Sequence, residues 1–540
     1  MPSDLGDAFA GTMVRIEQQP HAQSEQAKKI IAWVYLAERP VSVDELLCSL
    51  AIEDDDKAFN PRGMPIRSTL INCCHGLVVI DQETTTVRLV HYSFQEYLCR
   101  QNQLFGVSKV QWHNQIARTC LTLLSFPAMG DEHSRINLML TPYAVTKWGH
   151  HLRRSEHLPD APLRLAQNYL HTVSTGYSES LRLLYKDMYG SFFKEPSPCS
   201  TAHIVAVFGL HRVMLWSSSE AFFLDTKDIE GKTPLSWAAM LGHAAVVELL
   251  VEQGALIDSE DSYNRTPLML SLENGKDAVA KLLINKGATI DRKDEFGNTP
   301  LSNAARWGFE TITKILLEKG APVDPVDNMG RTPLSWAAEE GQDAVVKVLI
   351  DNGASLDSNE RLGRTPLIFA ASKGHEAVVR LLLEKGATVD LFDQKHGRTA
   401  LLWAVAEGYE TIVRLLIEKG ATVDFMDAGF GWTPLSWAAV KGFEVIARLL
   451  IDNGAAVDLE EGSGCGRTPL FLALEARNEG TVKILAEKSS AVALSKTPGI
   501  WSADQGLDTL MDLLGFTTDS RGHRTKRILK ANDPVNLYFK

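Results

Sequence analysis

The sequence predicts a mostly α-helical chain: a long stack of helix pairs in its C-terminal half, preceded by a helical connector and a small domain of three helices and a hairpin. Three observations carry this. A Thr-Pro pair recurs every 33 residues from Thr233 to Thr365, and a fixed period of that size marks a stacked array. After each pair the apolar residues fall at helical spacing. Residues 24–103 instead switch between helical and strand patterns, punctuated by turn residues.

Size and composition set the frame. The 540 residues, 45% hydrophobic and 23% charged, suit two or three folded units rather than a disordered chain. No apolar run approaches the roughly 18–20 residues that span a bilayer, and the N-terminus MPSDLGDAF lacks a signal-peptide pattern. A non-membrane, unsecreted, cytoplasmic protein is therefore expected. Seven cysteines, with Cys73 and Cys74 adjacent and no CxxC pair, fit a reducing compartment.

Along the chain, helices are expected from Ser24 to Ala37, Ser42 to Ala51 and Met64 to Cys74. Strands follow at Leu77–Asp81 and Val87–His91, then a helix from Ser93. Ser42 with Glu45 and Ser93 with Glu96 supply capping boxes for two of these starts. Three helices and a hairpin suggest a winged helix over residues 1–105. Many such modules bind DNA, but residues 1–105 hold 9 Lys/Arg against 14 Asp/Glu, and the helix that would enter the groove offers only Arg67. Several phosphate contacts are needed, and the whole chain carries a net charge of -12. No nucleic-acid partner is expected.

Residues 106–195 are read as a helical connector, with helices near Trp112–Leu124, Pro142–Arg154, Pro162–His171 and Glu179–Tyr189. His150, His151 and His157 do not make a metal site, because the first two diverge by about 100° on a helix and no Cys or carboxylate set completes them. The segments QAKKIIAWVYLAERPVSVDEL, VHYSFQEYL (Val90–Leu98) and KWGHHLRR (Lys147–Arg154) resemble the region that follows the NACHT module in fungal NACHT-ankyrin proteins. That resemblance covers most of residues 1–155. Its implication is a STAND, NLR-like signalling architecture, in which a repeat domain senses a ligand and a NACHT ATPase switches with nucleotide.

From Thr233 the pairs Thr266-Pro267, Thr299-Pro300, Thr332-Pro333 and Thr365-Pro366 keep the 33-residue period, and Thr399-Ala400, Thr433-Pro434 and Thr468-Pro469 follow at 34, 34 and 35. Each Thr is placed to cap a helix whose first residue, Pro, needs no N–H partner. In the Thr332 unit Ala337 and Ala338 allow close helix approach, and Gly341 stops the first helix. Val345, Val346, Leu349 and Ile350 give the second its apolar stripe, and Gly353 ends it. This pattern, G-x-T-P-L-S-W-A-A-x-x-G-x-x-x-V-V-x-x-L-L-x-x-G-A-x-x-D, resembles the ankyrin repeat. Eight clear repeats and one degenerate unit, from near Ser200, occupy residues 196–490, and residues 491–540 form a tail. Insertions near Lys395, Phe430 and Gly464 lengthen the projecting fingers. The histidine usual in this family's TPLH motif is replaced by Ser236, Ser302, Ser335 and Ser436, or by apolar residues.

Protein binding is the expected function, through finger tips and first helices on the concave face of an ankyrin stack. Offsets -4, -3, -1, +7 and +8 from each Thr select Tyr263, Arg265, Phe296, Arg306, Trp307, Met329, Arg331, Glu339, Glu340, Lys373, Arg398, Phe430, Trp432 and Lys441. Aromatic and Arg side chains are common interface anchors. Trp237, Trp336, Trp403, Trp437 and Phe369 repeat at Thr+4 and are read as structural.

The chain contains no G-x-x-x-x-G-K-[ST], since Gly231-Lys232-Thr233 has Thr226 at the first glycine position. No catalytic, cofactor or metal residue is assigned, and no enzyme is expected. The favoured function is an adaptor or sensor acting beside a NACHT protein. The alternative is a regulatory fragment, or a truncated gene model, of a full-length NACHT ATPase. The tail cluster Arg521, Arg524, Lys526, Arg527 and Lys530 adds nuclear import as a further reading.

Overall fold

A computed structural model describes residues 3–54, 56–126, 134–155, 161–174, 200–216, 224–462, 467–489 and the strands 516–518 and 524–526. The chain divides into two compact units, Met1–Ala288 and Thr289–Lys540.

The first unit opens with α1 (Ser3–Glu17), whose Phe9 packs 5.0 Å from Phe94 and 5.8 Å from Tyr97. Then come α2 (His21–Leu36), α3 (Val43–Leu50), α4 (Arg67–Asn72) and α5 (Tyr92–Arg100). Strands β1 (Val41–Ser42), β2 (Val78–Ile80) and β3 (Thr86–Leu89) form an antiparallel sheet in the order β1-β3-β2. This is the expected winged helix, with a third strand and α1 that the periodicity did not show. Helix α4 starts later than Met64 because Pro65 holds Met64 out of helical geometry.

Ser42 and Glu45 form the expected capping box, and the buried Glu45 also pairs with Arg39 at 2.5 Å. The box expected at Ser93 and Glu96 does not form. Helix α5 starts one residue earlier, and His91 Nδ1 accepts the Ser93 N–H at 3.1 Å. An imidazole just ahead of the helix reaches the free amide before a side chain inside the first turn can.

Beyond a short hairpin, β4 (Gln103–Leu104) and β5 (Val107–Ser108), lie α6 (Lys109–Leu124), α7 (Ser134–Arg154) and α8 (Ala161–Ser174). Helix α6 starts ahead of Trp112 because Ser108 and Gln111 supply a capping box. Pro142 does not begin α7 as expected but lies inside it. The helix expected at Glu179–Tyr189 lies outside the described residues.

The motif KWGHHLRR ends α7, and its residues face three directions. Trp148 packs 5.2 Å from Phe208 and 5.8 Å from Tyr169. Gly149 leaves the space Phe208 fills, since a Cβ there would lie 2.1 Å from its ring. His151 is fully buried and hydrogen-bonds His113 and Tyr143, both at 2.8 Å. Arg153 reaches His243 at 3.0 Å, and Arg154 pairs with Glu38 at 2.8 Å. One helix thus touches the winged helix, the connector and the first repeats. Among the described residues no group of three or more metal-binding side chains occurs, and no helix is long and apolar enough to cross a membrane.

The degenerate unit, Thr201–Phe208 with His211–Trp216, ends its first helix at Gly209 as the phase suggested. His203 stands at its TPLH-type position, bonding Ser200 and, through Nε2, the Lys232 carbonyl at 3.1 Å. The histidine missing from the clear repeats survives here. Repeats at Thr233 and Thr266 complete the unit, with first helices Pro234–Leu241 and Pro267–Glu273.

The second unit continues with helix pairs from Pro300–Arg306 and Glu310–Glu318 to Pro469–Glu475 and Glu479–Lys488. All eight repeat threonines cap their helices through the side-chain oxygen, and seven of them are followed by Pro. Gly408 ends its helix at φ +84°, and a Cβ there would meet the Phe443 ring at 2.8 Å. Both conformation and close approach therefore demand glycine. In the tail, Phe516–Thr518 pairs antiparallel with Arg524–Lys526.

Candidate partner-binding surface

Each finger is built on a buried carboxylate. Asp327 Oδ1 accepts the Met329 and Arg331 amides at 2.8 and 2.9 Å, while Oδ2 accepts the Trp336 indole N–H at 3.2 Å. Asp427 does the same for Phe430, Trp432 and Trp437. Asp228 and Asp393 hold Trp237 and Trp403, both at 2.8 Å. The Thr+4 tryptophans thus tie down their own fingers through the indole N–H. Their polar edge satisfies a carboxylate that would be costly to bury alone.

Arg331 and Arg398, both at Thr-1, lie between neighbouring repeats. Arg331 pairs with Glu339 at 2.7 Å and Glu360 at 3.3 Å, with its guanidinium 4.4 Å from the Trp336 ring centre and 4.9 Å from that of Phe369. Arg398 pairs with Asp427 at 3.4 Å and lies 4.3 Å from the Trp437 ring centre. In the first unit Arg265 pairs with Asp261 and Glu273 and lies 4.9 Å from the Tyr263 ring centre. These contacts place Thr-1 and Thr+7 on one face.

The fourteen sequence-selected residues separate accordingly. Arg265, Arg331, Arg398 and Glu339 are largely covered, with their charges matched in these braces. Trp432 stacks on Phe430 at 4.7 Å and donates to Glu461 at 2.9 Å. Arg306 and Glu340 pair at 3.4 Å, and Arg306 bridges the Trp307 and Trp336 rings. Lys373 and Lys441 are exposed. Open apolar surface comes from Tyr263 in the first unit and from Phe296, Trp307, Met329 and Phe430 in the second, at 42%, 61%, 48%, 45% and 53% exposure.

Sequence offsets missed two features. Phe392, 51% exposed, lies 5.6 Å from Phe425 at the base of a lengthened finger, outside the offsets used. The tips are also sewn together: Asn328, Arg361, Gln394 and Ala428 each donate a backbone N–H to the preceding tip, at Phe296, Met329, Leu362 and His396, over 2.7–2.8 Å. Such bonds leave no mark in composition or periodicity.

Two family models match this architecture. The family model described as ankyrin repeats (3 copies) matches residues 202–294, 289–360, 355–427 and 422–496, more than half of the chain. A second model, described as GPI inositol-deacylase, winged helix domain, matches residues 16–106. Among solved structures, the ankyrin repeat domain of Bcl-3, described as a unique member of the IkappaB protein family, is 28% identical. It covers 41% of this chain and 98% of its own, with a TM-score of 0.36. No curated protein gives a match.

Proposed function

This chain belongs to the ankyrin-repeat family, and we propose that it is a protein-binding adaptor or sensor whose partner rests on the finger tips and first-helix ends, with no covalent step. The observation that carries this is the row of exposed Phe296, Met329 and Phe430 in fingers braced by the ion pairs of Arg331 and Arg398. Braced fingers lose little freedom on binding, and exposed aromatic and Met side chains are what interface cores favour. Cytoplasmic action in a reducing environment fits the cysteine pattern.

The test is affinity capture with the full chain against a variant carrying Ala at Phe296, Trp307, Met329 and Phe430. The expected result is a protein held by the parent and lost by a variant with the same helical content and melting temperature. Equal capture by both would reject this surface.

A second proposal concerns signalling. Helix α7 contacts the winged helix through Arg154–Glu38 and the first repeats through Phe208 and His243. We propose that partner capture is relayed along it to a NACHT-type nucleotide switch, in trans or in a longer form of this chain. A NACHT ATPase that neither binds the full chain nor changes its nucleotide turnover on partner capture would reject this.

A further inference from the structure

Fingers in the second unit set a spacing as well as a chemistry. The Thr-3 residues Phe296, Met329, Leu362, His396 and Phe430 occupy successive tips, tied tip to tip by the backbone bonds described above. Packed helices lie ~8–10 Å apart, so the row offers one contact about every 10 Å. A polyproline II segment returns to the same face every three residues, after about 9 Å. A β-strand returns every two residues, about 6.6 Å, and falls out of step. An α-helix matches only every seventh residue, so one side chain in seven would touch the row.

Charge selects further. At offsets Thr-4 and Thr+8 of this unit, the exposed cations Arg361, Lys373, Lys395 and Lys441 have no side-chain partner among the described residues. The exposed acids in the same condition at these offsets are Glu295 and Glu407. Glu340, also at Thr+8, is occupied by Arg306. The arginines at Thr-1 lie inside their braces and do not add to the imbalance.

Resting on the protein-binding function proposed above, we infer that the second unit takes an extended, acidic segment of its partner, in polyproline II form, with an apolar residue at every third position. The apolar side chains sit on the Phe296-to-Phe430 row, and the carboxylates between them meet Arg361 and Lys395 on the tips and Lys373 and Lys441 at the helix ends.

Four fluorescein-labelled probes test this on the full chain by anisotropy: five Leu-Pro-Glu triplets, five Leu-Pro-Lys triplets, the first composition with Leu at every second position, and a Leu/Glu helix of heptad spacing. The first probe should bind at least about tenfold more tightly than each of the others and weaken with added salt. It should lose about tenfold or more in an Arg361→Glu, Lys395→Glu variant, which alters exposed side chains and leaves the braces intact. Equal or tighter binding of the basic, two-spaced or helical probe overturns the inference. So does binding indifferent to the charge reversal, or no binding by any probe. The capture experiment then separates the causes: a partner lost on alanine substitution at the tips keeps the protein-binding surface while this ligand chemistry falls, and a partner retained rejects both.

Discussion

Asp427 shows how much one side chain can decide. It is buried and accepts two backbone amides and an indole N–H, and Arg398 stands 3.4 Å away. Asp427→Ala would leave those donors without an acceptor, at roughly 1–3 kcal/mol for each group that water cannot reach. A lower melting temperature is expected, together with greater exposure of Trp432 and Trp437 to a fluorescence quencher. Trp437→Phe removes the donor along with most of its need and should cost less, on the order of 1 kcal/mol. If the two variants melt alike, the carboxylate does not organise the finger. The sequence made the Thr caps legible because a cap needs only its own next three residues. It hid the finger carboxylates, since their partners converge from the turn, the first helix and the neighbouring repeat. Arg265, Arg331 and Arg398 stand among the binding candidates for the same reason: an offset marks the face but does not report whether a charge is already matched.

Among the elements, α7 is expected from Pro142 onward, and proline does favour the first turn of a helix. Tertiary packing overrides that preference, as α7 lies against α6 and supplies Trp148 to the contact with Phe208. Gly149 has no local signature in the sequence, because nothing beside a glycine inside a helix marks a ring seated on it. Gly149→Ala puts a methyl into the Phe208 ring and should destabilise the first unit by about 1–3 kcal/mol, the usual cost of overpacking. A Gly149→Ala, Phe208→Ala double variant should lose less than the sum of the two single changes, because the clash disappears with the ring. Additive losses in denaturant melts would show that Gly149 does not act through Phe208. The third wing strand escaped notice for a related reason: Val41–Ser42 is only two residues long, too short for a period-2 pattern.

At the scale of the whole molecule, the described histidines with depressed pKa are not spread evenly. His113, His150 and His243 are each pushed from 6.5 down to about 4, mainly by burial and further by Arg153 or Arg154. His151 is lowered well below its usual value by burial and by His113, and His203 is lowered by burial. All five lie in Met1–Ala288. A histidine with a folded pKa below its unfolded value binds fewer protons when folded, so its neutral form supports folding above pH 6.5. That support is lost as pH falls from 6.5 through about 4. At 1.36 kcal/mol per unit, His113 alone accounts for up to about 3 kcal/mol. Acid should therefore open the connector and the first repeats ahead of the second unit. Hydrogen exchange of the full chain, corrected for the intrinsic pH dependence of exchange, should show protection falling between pH 7.5 and 5 in α6, α7 and residues 201–208, while residues 300–452 keep theirs. His113→Phe and His151→Phe variants, which cannot charge, should flatten that response if they fold. Uniform loss of protection along both units would mean that the carboxylates, and not these histidines, set the acid limit.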